Sequence, residues 1–134
     1  MKCPNCGSQN VVCITGADIN ASDKRLKRNI IDLSDSLAII NQLQGVSFNW
    51  IEGFSESEKD KTLYGFIAQD VDTVDTNLVA PFGEEGYTVQ VNGVDIPNAL
   101  RVNEKFIVPL LVEAIKELKE EVNVLMARIV VLEG

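Results

Sequence analysis

The clearest regularity lies near the C-terminal end, where Leu111, Ile115, Leu118, Val122, Leu125, Ile129 and Leu132 recur at alternating spacings of four and three. That rhythm is a heptad seam, with Ile115, Val122 and Ile129 at the a positions and Leu111, Leu118, Leu125 and Leu132 at d. Charges flank it: Glu117 and Lys119 neighbour the seam, and Glu113, Lys116, Glu120, Glu121 and Arg128 populate the outer faces. Pro109 can open such a helix, because the N–H it lacks is one that a first turn leaves unbonded. The pattern predicts a long helix over 109–134 that associates with copies of itself. The competing reading is an amphipathic helix packed on its own domain, but a strict period of 3.5 makes a narrower stripe than that needs. β-Branched residues at a with leucine at d favour a parallel dimer in simple coils. Val112, Val124, Val130 and Val131 widen the apolar surface and suit a third helix or contact with the globular part.

Upstream the spacing changes. Ser36, Leu37, Ile40 and Leu43 fit a short amphipathic helix that Asp32 or Ser34 would cap and Gly45 would end. Val46, Phe48 and Trp50 then alternate with Ser47 and Asn49, the pattern of a half-buried strand. Gly53 to Lys61 is a charged loop and Leu63 to Ala68 returns as a second strand, so 46–68 reads as a hairpin. Asp70 to Asn77 suggests a helical turn, and Leu78 to Phe82 and Tyr87 to Val94 suggest strands around Gly83 and Gly86. Phe48, Trp50 and Phe66 are expected to serve the core rather than a site. The fold class is α+β, in three parts: an N-terminal segment over 1–21 with one strand candidate at Val11 to Ile14, a globular part over 22–108, and the oligomerisation helix over 109–134.

Composition narrows the function. With 20 acidic against 12 basic residues the formal charge is -8, which repels phosphate backbones and anionic lipid, so neither nucleic acid nor membrane is an expected partner. The lack of histidine removes the commonest general base, so catalysis would have to run on Ser, Lys, Asp, Glu or Cys. No apolar run is long enough to span a bilayer and the first residues lack a signal-peptide core, which reads as a soluble chain made in a cytoplasm. Cys3, Cys6 and Cys13 are an odd number, against a disulfide framework. Cys3-Pro4-Asn5-Cys6 is like the first knuckle of a zinc ribbon, but Cys13 gives only a third sulfur and no fourth ligand follows. No metal or cofactor is expected, with zinc at these cysteines kept as the alternative.

Four stretches carry more than spacing does: Ser22-Asp23-Lys24-Arg25-Leu26-Lys27-Arg28-Asn29-Ile30, Gly45-Val46-Ser47-Phe48-Asn49-Trp50, Gly65-Phe66-Ile67-Ala68-Gln69-Asp70-Val71, and Pro109-Leu110-Leu111-Val112-Glu113-Ala114-Ile115-Lys116-Glu117-Leu118. In this order they resemble the C-terminal intramolecular chaperone domain of phage endosialidases, tail spikes, tail fibres and neck appendages. The segment from Pro81 to Asn98 looks like a local elaboration of that pattern.

The resemblance implies a homotrimer, with a dimer as the alternative, that promotes folding of an upstream fibrous segment of the same polypeptide and then cuts itself off between Ala21 and Ser22. It implies Ser22 as nucleophile and Lys27 as general base, acting in a host cytoplasm during virus assembly or within a virion. A Ser–Lys pair suits a chain without histidine, since a desolvated lysine can take the hydroxyl proton. Five-residue spacing puts the two side chains on different faces of a regular helix or strand, so the pair needs a turn between them or a Lys27 from a neighbouring subunit. Spacing alone favours the plainer reading, in which Ser22 or Asp23 merely caps a helix and Lys24, Arg25, Lys27 and Arg28 are solvated charges, and it is the resemblance that reverses this. With 21 residues ahead of Ser22, the client is expected to be absent, truncated or another chain. The alternatives are a non-cleaving trimerisation knob of a virion protein and a module whose zinc-ribbon-like start does the binding.

Overall fold

A computed structural model describes residues 21–83 and 86–134. The strand expected at Val11 to Ile14 and the cysteines Cys3, Cys6 and Cys13 lie outside the described residues. The chain falls into two units, 1–32 and 33–134.

In the larger unit, helix α1 (Ser36–Gln42) is followed by strands β1 (Val46–Phe48) and β2 (Leu63–Gly65), helix α2 (Ala68–Val74), a 3-10 turn (Thr76–Leu78), strands β3 (Val79–Pro81), β4 (Thr88–Val91), β5 (Val94–Pro97) and β6 (Leu100–Val102), and helix α3 (Glu104–Glu133). All strand pairs are antiparallel and two-stranded: β1 with β2, β3 with β6, and β4 with β5. The expected 46–68 hairpin forms in the register Val46 opposite Gly65 and Phe48 opposite Leu63. Its second strand stops at Gly65, because the segment expected to continue it turns into α2 at Ala68 and buries Val71. An aspartate from outside each expected cap position opens α1: Asp35, rather than Asp32 or Ser34, precedes it with φ 55° and makes no side-chain capping bond.

The β4–β5 hairpin lies between β3 and β6 in sequence and occupies the Pro81 to Asn98 elaboration. Its turn is Asn92-Gly93, both at positive φ (50° and 77°), as a two-residue hairpin loop requires. At that tip the Asn92 side chain donates to the Glu52 carbonyl at 2.8 Å and lies where a Cβ on Gly53 would stand, 2.5 Å from its nearest atom. Gly53, at φ 89°, is therefore needed twice, for its backbone conformation and for the close approach of the hairpin.

The core is small. Val71, Leu78, Ile107 and Leu110 are buried together, with Ile39, Ile40, Leu43, Phe66, Val79 and Val102 packed around them. Phe48 sits half-buried in a row of rings: its centroid lies 4.9 Å from Trp50, which lies 4.7 Å from Phe54. Phe66 joins the core as expected, whereas Trp50 stays on the surface at 38% exposure.

Helix α3 begins at Glu104, five residues before the expected Pro109, because Ile107 belongs to the core and carries the first turn inward. At 1.5 Å per residue its 30 residues extend for about 45 Å. Ile107, Leu110 and Ala114 form the buried stripe, which packs on α1 and the core, and half-buried Glu117 continues it. The Glu117 carboxylate accepts the Leu37 backbone N–H at 2.6 Å, so a side chain from α3 fills the capping role that Asp35 leaves open. Beside it Ser36 is fully buried, and its hydroxyl finds no hydrogen-bond partner among the described residues. From Leu118 to Gly134 every residue is exposed.

Candidate functional site

The smaller unit holds the segment singled out for cleavage. Asp23 caps a single 3-10 turn (Lys24–Leu26): its side chain accepts the Arg25 backbone N–H at 2.9 Å, and its carbonyl accepts the Leu26 N–H at 3.0 Å. The Lys27 N–H returns to the Lys24 carbonyl at 3.1 Å, after which the backbone is extended again. A 3-10 turn advances the chain by three residues per revolution rather than 3.6. One such turn flanked by extended residues brings together the two side chains that a regular helix or strand would part: the Lys27 Nζ donates to the Ser22 Oγ at 2.6 Å. Of the two arrangements the spacing allowed, the single chain adopts the turn.

The pair lies on the surface, since Ala21, Ser22 and Lys27 are all exposed. In this geometry the ammonium donates to the hydroxyl oxygen. Once the amine is neutral the same contact runs the other way, with the hydroxyl donating to nitrogen, which is the arrangement that general-base activation of a serine requires. Gln69 and Asp70 are exposed at the start of α2.

Two residues that spacing did not single out stand beside the pair. Arg25 grips the Asp23 carboxylate with both ends of its fork, Nε to Oδ1 at 3.1 Å and Nη2 to Oδ2 at 2.8 Å. The Arg25 side chain, and then its backbone N–H, hold the Asp23 carboxyl below the usual carboxylate range, and the same ion pair raises Arg25. The only advance signal was Asp23 as a capping residue; a brace to a residue two positions on has no periodicity to reveal it.

The heptad seam forms the second candidate surface. Leu111, Ile115, Leu118, Val122, Leu125, Ile129 and Leu132 all lie on α3, at exposures from 41% for Leu111 to 86% for Leu132. The helix does pack on its own domain, but through Ile107, Leu110 and Ala114 rather than through the seam. Among the described residues no helix is long and apolar enough to cross a membrane, and no cluster of three metal-ligating side chains occurs.

A solved structure described as a novel intramolecular chaperon has the same fold at a TM-score of 0.51 and 18% identity, covering 75% of this chain and 99% of that one. No curated protein matches the chain. A peptidase family model described as the chaperone of endosialidase matches residues 22–80, starting at the serine that Lys27 contacts. Over those residues, from the Ser22 turn through both strands of the first hairpin to β3, the chain is similar to the chaperone of endosialidase family, and the solved intramolecular chaperon shares its fold.

Proposed function

We propose that this is a trimerising intramolecular chaperone that releases itself by one autoproteolytic cut between Ala21 and Ser22. The observation that carries the reading is the 2.6 Å contact between Lys27 Nζ and Ser22 Oγ at the residue where the family match begins. In this mechanism the Ser22 Oγ adds to the Ala21 carbonyl carbon while its proton passes to Lys27. The Ala21–Ser22 C–N bond then breaks, the proton goes to the departing Ser22 nitrogen, and an ester joins the Ala21 acyl group to Oγ. Water hydrolyses that ester, leaving a carboxylate at Ala21 and a free amine at Ser22.

Assembly supplies what the single chain lacks. A lysine becomes a base when removal from water favours its neutral form, and Lys27 is exposed in one chain. The uncovered seam of α3 gives parallel copies a way to meet, a trimer being the preferred number, and their packing provides the cover. Joining the chains in register also replaces loop closure between separate strands of a fibrous client with local zippering. The cut then separates product from chaperone and makes the folding irreversible in practice. The client is a fibrous segment of a viral tail spike or fibre, and the setting is the host cytoplasm during assembly.

The exposure of Lys27 favours one second reading, a trimeric knob that never cuts. Intact masses after expression separate the two. Wild type should lose residues 1–21 while Ser22→Ala keeps them, whereas a wild type that stays whole leaves only the assembly role.

A further inference from the structure

The reaction as written gives no part to the pair beside it, although Asp23 and Arg25 are the most completely bonded side chains of the segment. Asp23 adjoins the nucleophile in sequence, and it precedes Lys27 by four residues, the separation at which a carboxylate and an ammonium pair across a helical turn. The charges of the described segment are Asp23, Asp32, Lys24, Arg25, Lys27 and Arg28, so Asp23 is the anion placed to compete with Ser22 for Lys27. It does not, because Arg25 holds both carboxylate oxygens while the backbone N–H of residue 25 takes up one of them again.

We infer that Asp23 and Arg25 are positioning residues for the self-cleavage: the carboxylate fixes the turn that delivers Lys27 to Ser22, and the guanidinium keeps that carboxylate off Lys27. The inference rests on the cleavage reading above. A planar fork matched to a carboxylate fixes both partners' orientation, which a point charge does not. With the Arg25 and Asp23 side chains 88% and 44% exposed, the pair adds little to stability, so its effect falls on which partner Lys27 finds. The Asp23 carboxyl is held below its usual range, so the brace is complete at neutral pH and is lost only as pH falls through that lowered value.

The test follows the rate of appearance of the 22–134 product by intact mass, from neutral to alkaline pH, in the full chain. Arg25→Ala should cut roughly fivefold more slowly, the rate equivalent of one exposed ion pair, and its profile should move to higher pH, because a lysine paired with the freed carboxylate is held as the ammonium. Arg25→Lys should recover part of the rate. Asp23→Asn combined with Arg25→Ala should bring the profile back, since asparagine still accepts the residue 25 N–H but no longer attracts Lys27. An Arg25→Ala chain that cuts at the wild-type rate and profile, or a double variant slower than Arg25→Ala alone, overturns the inference while Ser22-dependent cleavage stands. A wild type that never cuts removes the cleavage reading and this inference with it.

Discussion

The two halves of α3 are built from the same residue types and do opposite things. Over Glu104 to Glu117 the helix turns Ile107, Leu110 and Ala114 into the core, while Leu111 and Ile115, on the adjoining stripe, remain exposed. Beyond Glu117 every residue of the helix is exposed, and among the described residues none buries Val122, Leu125, Ile129 or Leu132. An apolar stripe thus does not say what it packs on. Which stripe is buried depends on the neighbouring elements, here α1 and the 3-10 turn before β3, which reach only as far as Glu117.

The sharpest way to break the comparison is to put charge into the outer half. Leu118→Glu with Leu125→Glu should turn the proposed trimer into monomers at micromolar concentration by light scattering, while circular dichroism of the globular part stays native. A trimer that survives both changes would show that the seam is not the interface. The counterpart in the inner half is Leu110→Ala, which removes a fully packed core side chain and should cost about 2–5 kcal/mol of unfolding free energy, read from the denaturant midpoint at unchanged slope. Leu125→Ala in a monomeric background should change stability far less, because that side chain is already 55% exposed.

Much of this was legible in the sequence. The seam, the short helix near Leu37, the first hairpin and the Ser22–Lys27 pairing all follow from periodicity or resemblance, because each is a local pattern repeated or a short motif. The features that local pattern does not reveal depend on distant partners. The start of α3 at Glu104 is set by Ile107 reaching the core beside Val71 and Leu78, not by Pro109. The second strand ends at Gly65 because Val71 is drawn inward, which shortens an apparently continuous apolar run into strand and helix. The β4–β5 turn has a readable signal in Asn92-Gly93 between Val91 and Val94, but the apolar run from Tyr87 to Val94 passes straight across it and hides the start of β5 at Val94. Glu117 is the plainest case: beside the seam it reads as a flanking charge, and its bond to Leu37 spans 80 positions of sequence.

That same residue gives the smallest and most discriminating prediction, because it sits where the two halves of α3 meet. If Glu117 only flanked the seam, its loss would alter assembly and leave a monomer's stability alone. As the cap of α1 it should do the reverse. Glu117→Ala leaves the Leu37 N–H without an acceptor at a part-buried helix start, and losses of this kind cost about 0.5–2 kcal/mol. Glu117→Gln keeps a carbonyl oxygen in place and should recover much of that. The order wild type, Gln, Ala in thermal midpoint, with the oligomeric state unchanged across the three, assigns Glu117 to the inner half. A change in oligomeric state without a change in midpoint would return it to the outer half and move the boundary between them toward the core.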